Sequence, residues 1–169
     1  LQRTKHKCCK ADKARPLLEI YVDSDFMGDP DKKRSTTGYT ILMHGVPIAT
    51  KSKLQTLPAK STTGAELIAL TECVSKVLWI RKILLDFNIS TEIKIHDDSQ
   101  TTIKTIKNQK LLKGSEHIAG KYHFVKGYVE RGDIKIVHIP GDDNLADLYT
   151  KPLDKNKFDK FTNMFLYDK

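Results

Sequence analysis

The chain is poor in cysteine and has no long apolar run. It holds three cysteines in 169 residues: Cys8 and Cys9 are adjacent, and Cys73 sits in a helical pattern. That arrangement offers no disulfide framework. His6, Cys8 and Cys9 are too crowded to surround a zinc ion tetrahedrally. No stretch approaches the roughly 18 apolar residues of a membrane-spanning helix, and the opening LQRTKHKCCK lacks the apolar segment of a signal peptide. The expectation is a soluble, intracellular chain without a membrane partner. At 39% hydrophobic residues, a chain of this length can bury one core, so a single domain is the default.

Charge is unevenly spread. The formal net charge is +8. Residues 1–15 contribute five of those charges, with Arg3, Lys5, Lys7, Lys10, Lys13 and Arg15 against the single acid Asp12. Much of the remaining excess lies in 104–113, with Lys104, Lys107, Lys110 and Lys113. Basic clusters on a domain that also carries paired acids suit a polyanion, because each phosphate neutralised by a lysine or arginine releases counterions. Nucleic acid is the partner this pattern favours. The sequence begins without methionine, and the expectation is a segment of a longer polypeptide with residues 1–16 as a basic connection.

Hydrophobic periodicity gives the elements. In LEIYVDSDF, residues 18–26, Leu18, Ile20 and Val22 alternate with Glu19, Tyr21 and Asp23, the pattern of a strand with two different faces. Strands follow at 38–43 and 46–51 around His44-Gly45, completing an antiparallel meander whose third strand, with Pro47, starts late or lies at an edge. Ser61, Thr62 or Thr63 can cap a helix over 65–85. One stripe of that helix holds Glu66, Ala69, Leu70, Cys73, Val77, Ile80 and Leu84. A carboxylate at the head of an apolar stripe is costly unless something pairs it. A fourth strand over 92–98 ends in Asp97-Asp98 and, following a helix, is placed parallel beside the first. Helices are expected over 100–107 and 116–131, the second capped by Ser115, closed by Gly132 and packed through Ile118, Tyr122, Val125 and Val129. A fifth strand over 134–139 leads through Pro140-Gly141 to Asp142, Asp143 and Asp147 at a helix start. An amphipathic tail over 155–166 places Phe158, Phe161 and Phe165 for core packing. Trp79 is expected in the core or at a docking surface, and His117 and His123 as packed or surface residues.

On this topology Asp23 and Asp98 end neighbouring strands, Glu66 enters from the helix on the sheet, and Asp147 comes from the last turn. Four converging acids repel one another and are stable together only around bound cations. Oxygen ligands without cysteine or histidine select magnesium or manganese. Two such ions about 4 Å apart activate water and stabilise the leaving oxygen of a phosphodiester, so hydrolysis of nucleic acid is the chemistry this set would serve.

The segments YVDSDFMGDPDKKRSTTGYT, KSKLQTLPAKSTTGAELIAL, VLWIRKIL, HDDSQTTI and KYHFVKGYVERGDIKIVHIPGDDNLADLYTKPL, collinear over residues 18–165, resemble the ribonuclease H domain of copia-type LTR retrotransposon polyproteins. The resemblance implies an α/β fold with a five-stranded mixed sheet, three antiparallel strands followed by two parallel ones, with helices packed on it. It implies a domain over 17–169, a basic connection over 1–16 from a preceding reverse transcriptase domain, and a role in reverse transcription in the cytoplasm, within a virus-like particle, or in the nucleus. The family's four acids fall on Asp23, Glu66, Asp98 and Asp147. Asp25, Asp97, Asp142 and Asp143 become bystanders. Asp23 and Asp98 would hold both of two Mg²⁺ or Mn²⁺ ions, Glu66 one and Asp147 the other. The products would carry a 3′-hydroxyl and a 5′-phosphate.

Three departures accompany the match. The loop PGDDNLAD has no histidine before the last acid, Ala119 stands where the copia pattern has an acid, and Gly64 replaces another. A hybrid duplex is recognised by shape and 2′-hydroxyls, so no base-reading motif is expected. Candidate contacts to sugar or phosphate are Ser24, Thr37, Ser52, Gln55 and Ser99, with Lys51, Lys53, Lys110 and Lys113 along the backbones. The alternative is a catalytically silent nucleic-acid-binding or interface domain of a degenerate or host-captured element. An integrase-like strand transferase fits less well, since such sites use three acids in a different order of spacings.

Overall fold

Alternation along Leu18–Asp25 (β2) builds the centre of the molecule. In this computed structural model, which describes residues 6–29, 31, 33–108 and 118–168, Ile20 and Val22 are fully buried on one face of β2 and Tyr21 is buried on the other. A strand covered on both faces must lie inside a sheet. Thr36–Met43 (β3) pairs with β2 antiparallel, and Val46–Leu54 (β4) pairs with β3 antiparallel. Lys94–Asp97 (β5) and Lys135–His138 (β6) extend the other side in parallel. The order is β4-β3-β2-β5-β6, the expected mixed sheet.

Local chemistry explains the turns. His44 and Gly45 both have positive φ, 47° and 81°, the primed turn whose twist matches a hairpin. Pro47 lies on the edge strand, and a register shift opposite Ile41/Leu42 leaves Ile48 bulged, so the missing N–H costs no ladder bond. The helix Thr62–Asp86 (α1) is capped by Ser61, which accepts from the Gly64 N–H at 3.1 Å. It stops at Asn88, where φ is 58°; the Ile89 N–H reaches the Leu84 carbonyl at 2.8 Å and the Asn88 N–H that of Leu85 at 2.9 Å. These are the paired bonds of a Schellman end.

Helices α1, Gln100–Lys107 (α2) and Ala119–Glu130 (α3) cover one face of the sheet. The whole predicted stripe of α1, Glu66 included, is buried. The helix expected from 116 begins at Ala119, with no side-chain cap at Ile118, and Ser115 and His117 lie outside the described residues. Gly132, at φ 74°, ends it as expected. The opposite face is covered by a 3₁₀ turn, Leu145–Tyr149, and by the helix Lys155–Thr162 (α4), through Leu145, Ala146 and Phe161 against Tyr21 and Leu42. The helix start expected around Asp147 is thus two short 3₁₀ turns, Gly141–Asp143 and Leu145–Tyr149. Asn144 lies between them and caps the second through the Ala146 N–H. Trp79 and Phe87 are 57% and 72% exposed, so Trp79 is not a core residue. No described helix is long and apolar enough to cross a membrane.

The basic arm is attached to the domain. Lys7–Cys8 (β1) pairs antiparallel with Tyr167–Asp168 (β7). Arg15 pairs with Glu19 at 2.8 Å and donates to the Met164 carbonyl.

Gly38 is where close approach matters. It lies opposite Asp23, and a Cβ there would fall 2.4 Å from the Thr150 methyl and 3.1 Å from the Ala146 carbonyl. Only glycine lets the Asp147 turn sit on the sheet. Gly38→Ala is expected to destabilise the protein by about 1–3 kcal/mol, whereas Gly120→Ala, with nothing within 4 Å of the new methyl, is neutral or stabilising by up to about 1 kcal/mol. Urea unfolding of both variants checks this, and equal effects would contradict it.

Candidate active site

The strand periodicity of β2 carries Asp23 to the end of the sheet on the same face as Tyr21, and the 3₁₀ turn closes over it. Asp23 is 2% exposed, and its Oδ2 accepts a hydrogen bond from the Thr150 hydroxyl. Glu66 reaches the same point from the first turns of α1, is 5% exposed, and leaves its Oε2 without a hydrogen-bond partner. Asp98 follows the last residue of β5, and its Oδ1 accepts from the Asn144 side chain at 3.3 Å. Carboxylate oxygens of Asp23, Glu66 and Asp98 all lie within 4.8 Å of one another.

Asp147 stands beside this group with a different environment. It is 1% exposed, and two lysines hold its carboxylate: Lys151 Nζ lies 2.8 Å from Oδ1 and Lys157 Nζ 2.7 Å from Oδ2. Lys151 also approaches Asp23 Oδ2 at 3.6 Å. Asn144, fully buried, donates to the Val22 carbonyl at 2.9 Å as well as to Asp98. A single amide thus ties the Asp147 loop to β2 and to the end of β5.

Burial and crowding set the protonation of the acids. Burial is the main cause lifting Asp23 to about 6; Lys151 and the Thr150 hydroxyl oppose it, and Asp147 and Asp98 add to it. Glu66 is raised well above the usual carboxylate range, again first by burial and then by Asp97, Asp23 and Asp98. Lys151 and Lys157 remain firmly protonated: burial works against their charge, but the ion pairs with Asp147 outweigh it. Two buried carboxyls that resist ionising, one with an unpartnered oxygen, and the half-buried carboxyl of Asp98 form a set of hard oxygen donors suited to a divalent cation. A bound ion would supply the positive charge that they lack.

The other sequence candidates fall into different surroundings. Asp142 and Asp143 are exposed and paired with Lys157 and Lys160, and Asp25 is outside the three-acid group. Ser24 is buried beside Glu66, and its hydroxyl favours the ionised form of that carboxyl. Thr37 and Gln55, expected to face a duplex, are interior: the Gln55 amide donates to the Thr37 hydroxyl at 3.1 Å and to the Ala65 carbonyl at 2.9 Å. Their polar atoms fasten β3 and the end of β4 to the start of α1. Ser99 caps α2 through the Thr102 N–H at 3.2 Å. Lys51 pairs with Glu72 at 2.5 Å, and Ser52 and Lys53 are exposed on β4. Lys110 and Lys113 lie outside the described residues. Asn144, Thr150, Lys151 and Lys157 escaped the sequence reading. For Lys151 the signal was its position four residues after Asp147; Lys157 left none.

Asp97, set aside as a bystander, points into the core with 0% exposure, accepts the Ser99 N–H at 2.7 Å, and leaves Oδ2 unpartnered. Burial pushes its carboxyl up to about 7. A carboxyl raised on folding binds protons that the unfolded chain has lost, so its contribution to stability is lost as pH rises through the folded value. Asp97→Asn keeps the acceptor for Ser99 and removes that penalty. In EDTA its stability is expected to gain on the wild type by about 2 kcal/mol between pH 5 and pH 7 and then level off, as read by denaturant melts. A gap that stays constant or narrows would contradict it.

Similarity to known proteins fits this geometry. The chain is 34% identical over 160 residues to the retrovirus-related Pol polyprotein from transposon TNT 1-94 of Nicotiana tabacum, covering 94% of this chain and 12% of that polyprotein. It is 32% identical over 148 residues to the corresponding polyprotein from transposon RE1 of Arabidopsis thaliana, covering 86% of this chain and 10% of the other. The chain therefore spans about a tenth of the length of these curated relatives. Among solved structures, LC11 ribonuclease H1 in complex with an RNA/DNA hybrid superposes with a TM-score of 0.60 at 20% identity, over 79% of this chain and 93% of that one; this likeness establishes the fold. No protein-family model matches. By sequence the chain is homologous to a segment of copia-type retrotransposon Pol polyproteins, and by fold it is ribonuclease H-like.

Proposed function

We propose that this domain is a metal-dependent endonuclease that hydrolyses the RNA strand of RNA–DNA hybrids, working beside a reverse transcriptase domain of the same polyprotein. The observation that carries the reading is the convergence of Asp23, Glu66 and Asp98 within 4.8 Å, with Asp23 and Glu66 buried and one Glu66 oxygen unpartnered. A domain that only bound nucleic acid would gain stability by replacing such acids, since buried carboxyls without partners cost free energy. That argument favours the enzyme over a silent binding module.

Asp23 and Asp98 would hold both of two Mg²⁺ or Mn²⁺ ions, Glu66 one of them and Asp147 the other. The ions supply a nucleophilic water and charge stabilisation at the scissile phosphate. The protein's own part is positional. Thr150 orients Asp23, Asn144 orients Asp98, and Gly38 lets the turn bearing Asp147 approach. In-line attack of water on phosphorus breaks the bond to the 3′-oxygen, which leaves as a hydroxyl after taking a proton, while the other strand end keeps the phosphate. The net charge of +8 suits the duplex backbone. The relatives are Pol polyproteins, and a solved structure of the same fold is described in complex with an RNA/DNA hybrid; both support this substrate and partner.

End-labelled hybrid incubated with Mg²⁺ or Mn²⁺ tests the reading, with Asp98→Asn and duplex DNA in parallel. Cuts confined to the RNA strand and reduced to background in the variant are expected. Salt-sensitive binding of hybrid without cleavage by either ion would overturn the proposal in favour of a binding domain.

A further inference from the structure

Five of the nine large hydrophobic side chains exposed among the described residues fall within 79–89, at the end of α1 and just beyond it. Trp79, Ile83 and Phe87 follow one another at a spacing of four and share one side of the helix, turned away from the buried stripe of Val77, Ile80 and Leu84. Leu85 and Ile89 are exposed beside the same helix end. None of the five touches the acid site, which lies about 30 Å away where α1 begins and Glu66 stands.

Cations rim this patch. Residues 76–89 hold Lys76, Arg81 and Lys82 against the single acid Asp86. Asp133 takes up Arg81 at 2.9 Å, while the Lys76 ammonium lies 4.5 Å from the Trp79 ring and Lys82 is exposed. An apolar surface edged by carboxylates is the chemistry that fits. A nucleic-acid strand would use the lysines and the Trp79 ring but leave Ile83, Phe87 and Ile89 in water. At about 200 Å² for each large side chain, the exposed fractions of the five amount to about 500 Å². Separate chains that associate stably bury about 800 Å² each, so a second copy is a poor occupant. A tethered domain needs less, because its linker holds it at a millimolar effective concentration.

The tether joins at the same end of the molecule. The hairpin tip at His44 lies at the opposite end of β2 and β3 from Asp23 and Gly38, and the arm is fastened to it: the Asp12 N–H donates to the His44 carbonyl at 2.9 Å, and the His44 N–H to the Leu17 carbonyl at 3.2 Å. Pro16 and Leu17 of the arm and Thr91 and Glu92, just past the patch, line one cavity of about 280 Å³. Resting on the reading that this domain works beside a reverse transcriptase domain joined through residues 1–16, we propose that Trp79, Ile83 and Phe87 seat that neighbour, which presents an apolar surface with carboxylates towards Lys76 and Lys82. The docked neighbour stands at the end of the sheet away from Asp23, Glu66 and Asp98 and leaves the acids open to substrate.

Hydroxyl-radical footprinting of the two-domain protein, the reverse transcriptase domain with residues 1–169 attached, against residues 1–169 alone tests this. Trp79 and Phe87 are expected to be oxidised several-fold more slowly in the two-domain protein, and Met27, exposed at the acid end, at the same rate in both. Phe87→Glu and Lys82→Glu are expected to restore oxidation of Trp79 in the two-domain protein, and in residues 1–169 alone to leave the melting temperature and the cleavage of hybrid unchanged. Equal oxidation of Trp79 in the two wild-type proteins, a result that needs no variant to fold, would overturn the proposal while leaving the metal-dependent reading intact. Protection of Trp79 without cleavage of hybrid would support the docking and overturn the nuclease. Dimers of residues 1–169 in sedimentation would overturn the proposal in favour of a second copy. Trp79 is the sole tryptophan of the chain, and quenching of its fluorescence by a single-stranded thymidine oligomer would overturn the proposal in favour of nucleic acid.

Discussion

Mutual repulsion among carboxyls held out of water is the constraint on which this structure turns. Asp23, Glu66 and Asp98 come from a central strand, a helix on one face of the sheet and the end of a parallel strand, and they meet where Asp23 and Glu66 are buried and Asp98 is half-buried. Left to themselves, such groups would push the elements apart or take up protons. The rigid sheet prevents the first, and the second is visible in the raised position of Asp23. The conformational freedom that ordinarily relieves such a conflict is removed by packing on both faces of β2.

The second face supplies the counterweight. The segment from Gly141 to Lys151 brings an amide, a hydroxyl and a lysine to the same acids, and α4 adds Lys157. Gly38 on β3 leaves the space this segment needs. A charge-balanced loop is therefore laid over an under-balanced trio, and the imbalance is directional. Among the described residues Asp23 alone of the trio has a lysine in reach, Lys151 at 3.6 Å, whereas Asp147 is held by two lysines at 2.8 and 2.7 Å. The lysines stay charged because their partners outweigh the cost of burial, so the loop and the sheet are held together electrostatically as well as by Leu145, Ala146 and Phe161.

Strong local periodicity made much of this legible in advance. The alternation of β2, the His44-Gly45 hairpin, the Glu66 stripe of α1 and the span of α2 follow from residue order alone, because each is enforced by burial of one face. The Asp147 turn reads as a helix start, because Asn144 and the acids around it are good helix-start residues, but the segment forms two 3₁₀ turns, the second packed on β3. Thr37 and Gln55 read as surface donors because polar residues near a site usually are, yet both are buried, and the Gln55 amide N–H groups are used on Thr37 and on the start of α1. Lys157 could not be found from sequence, since its contact with Asp147 depends on how α4 folds back.

Everything above turns on Asp23, Glu66 and Asp98 acting as one cation site at the end of the sheet. Anomalous diffraction from crystals of this domain grown with Mn²⁺ tests it most directly. A manganese peak within coordination distance of all three carboxylates is expected. Manganese found only at the exposed Asp142 and Asp143, or nowhere in ordered density, would contradict it.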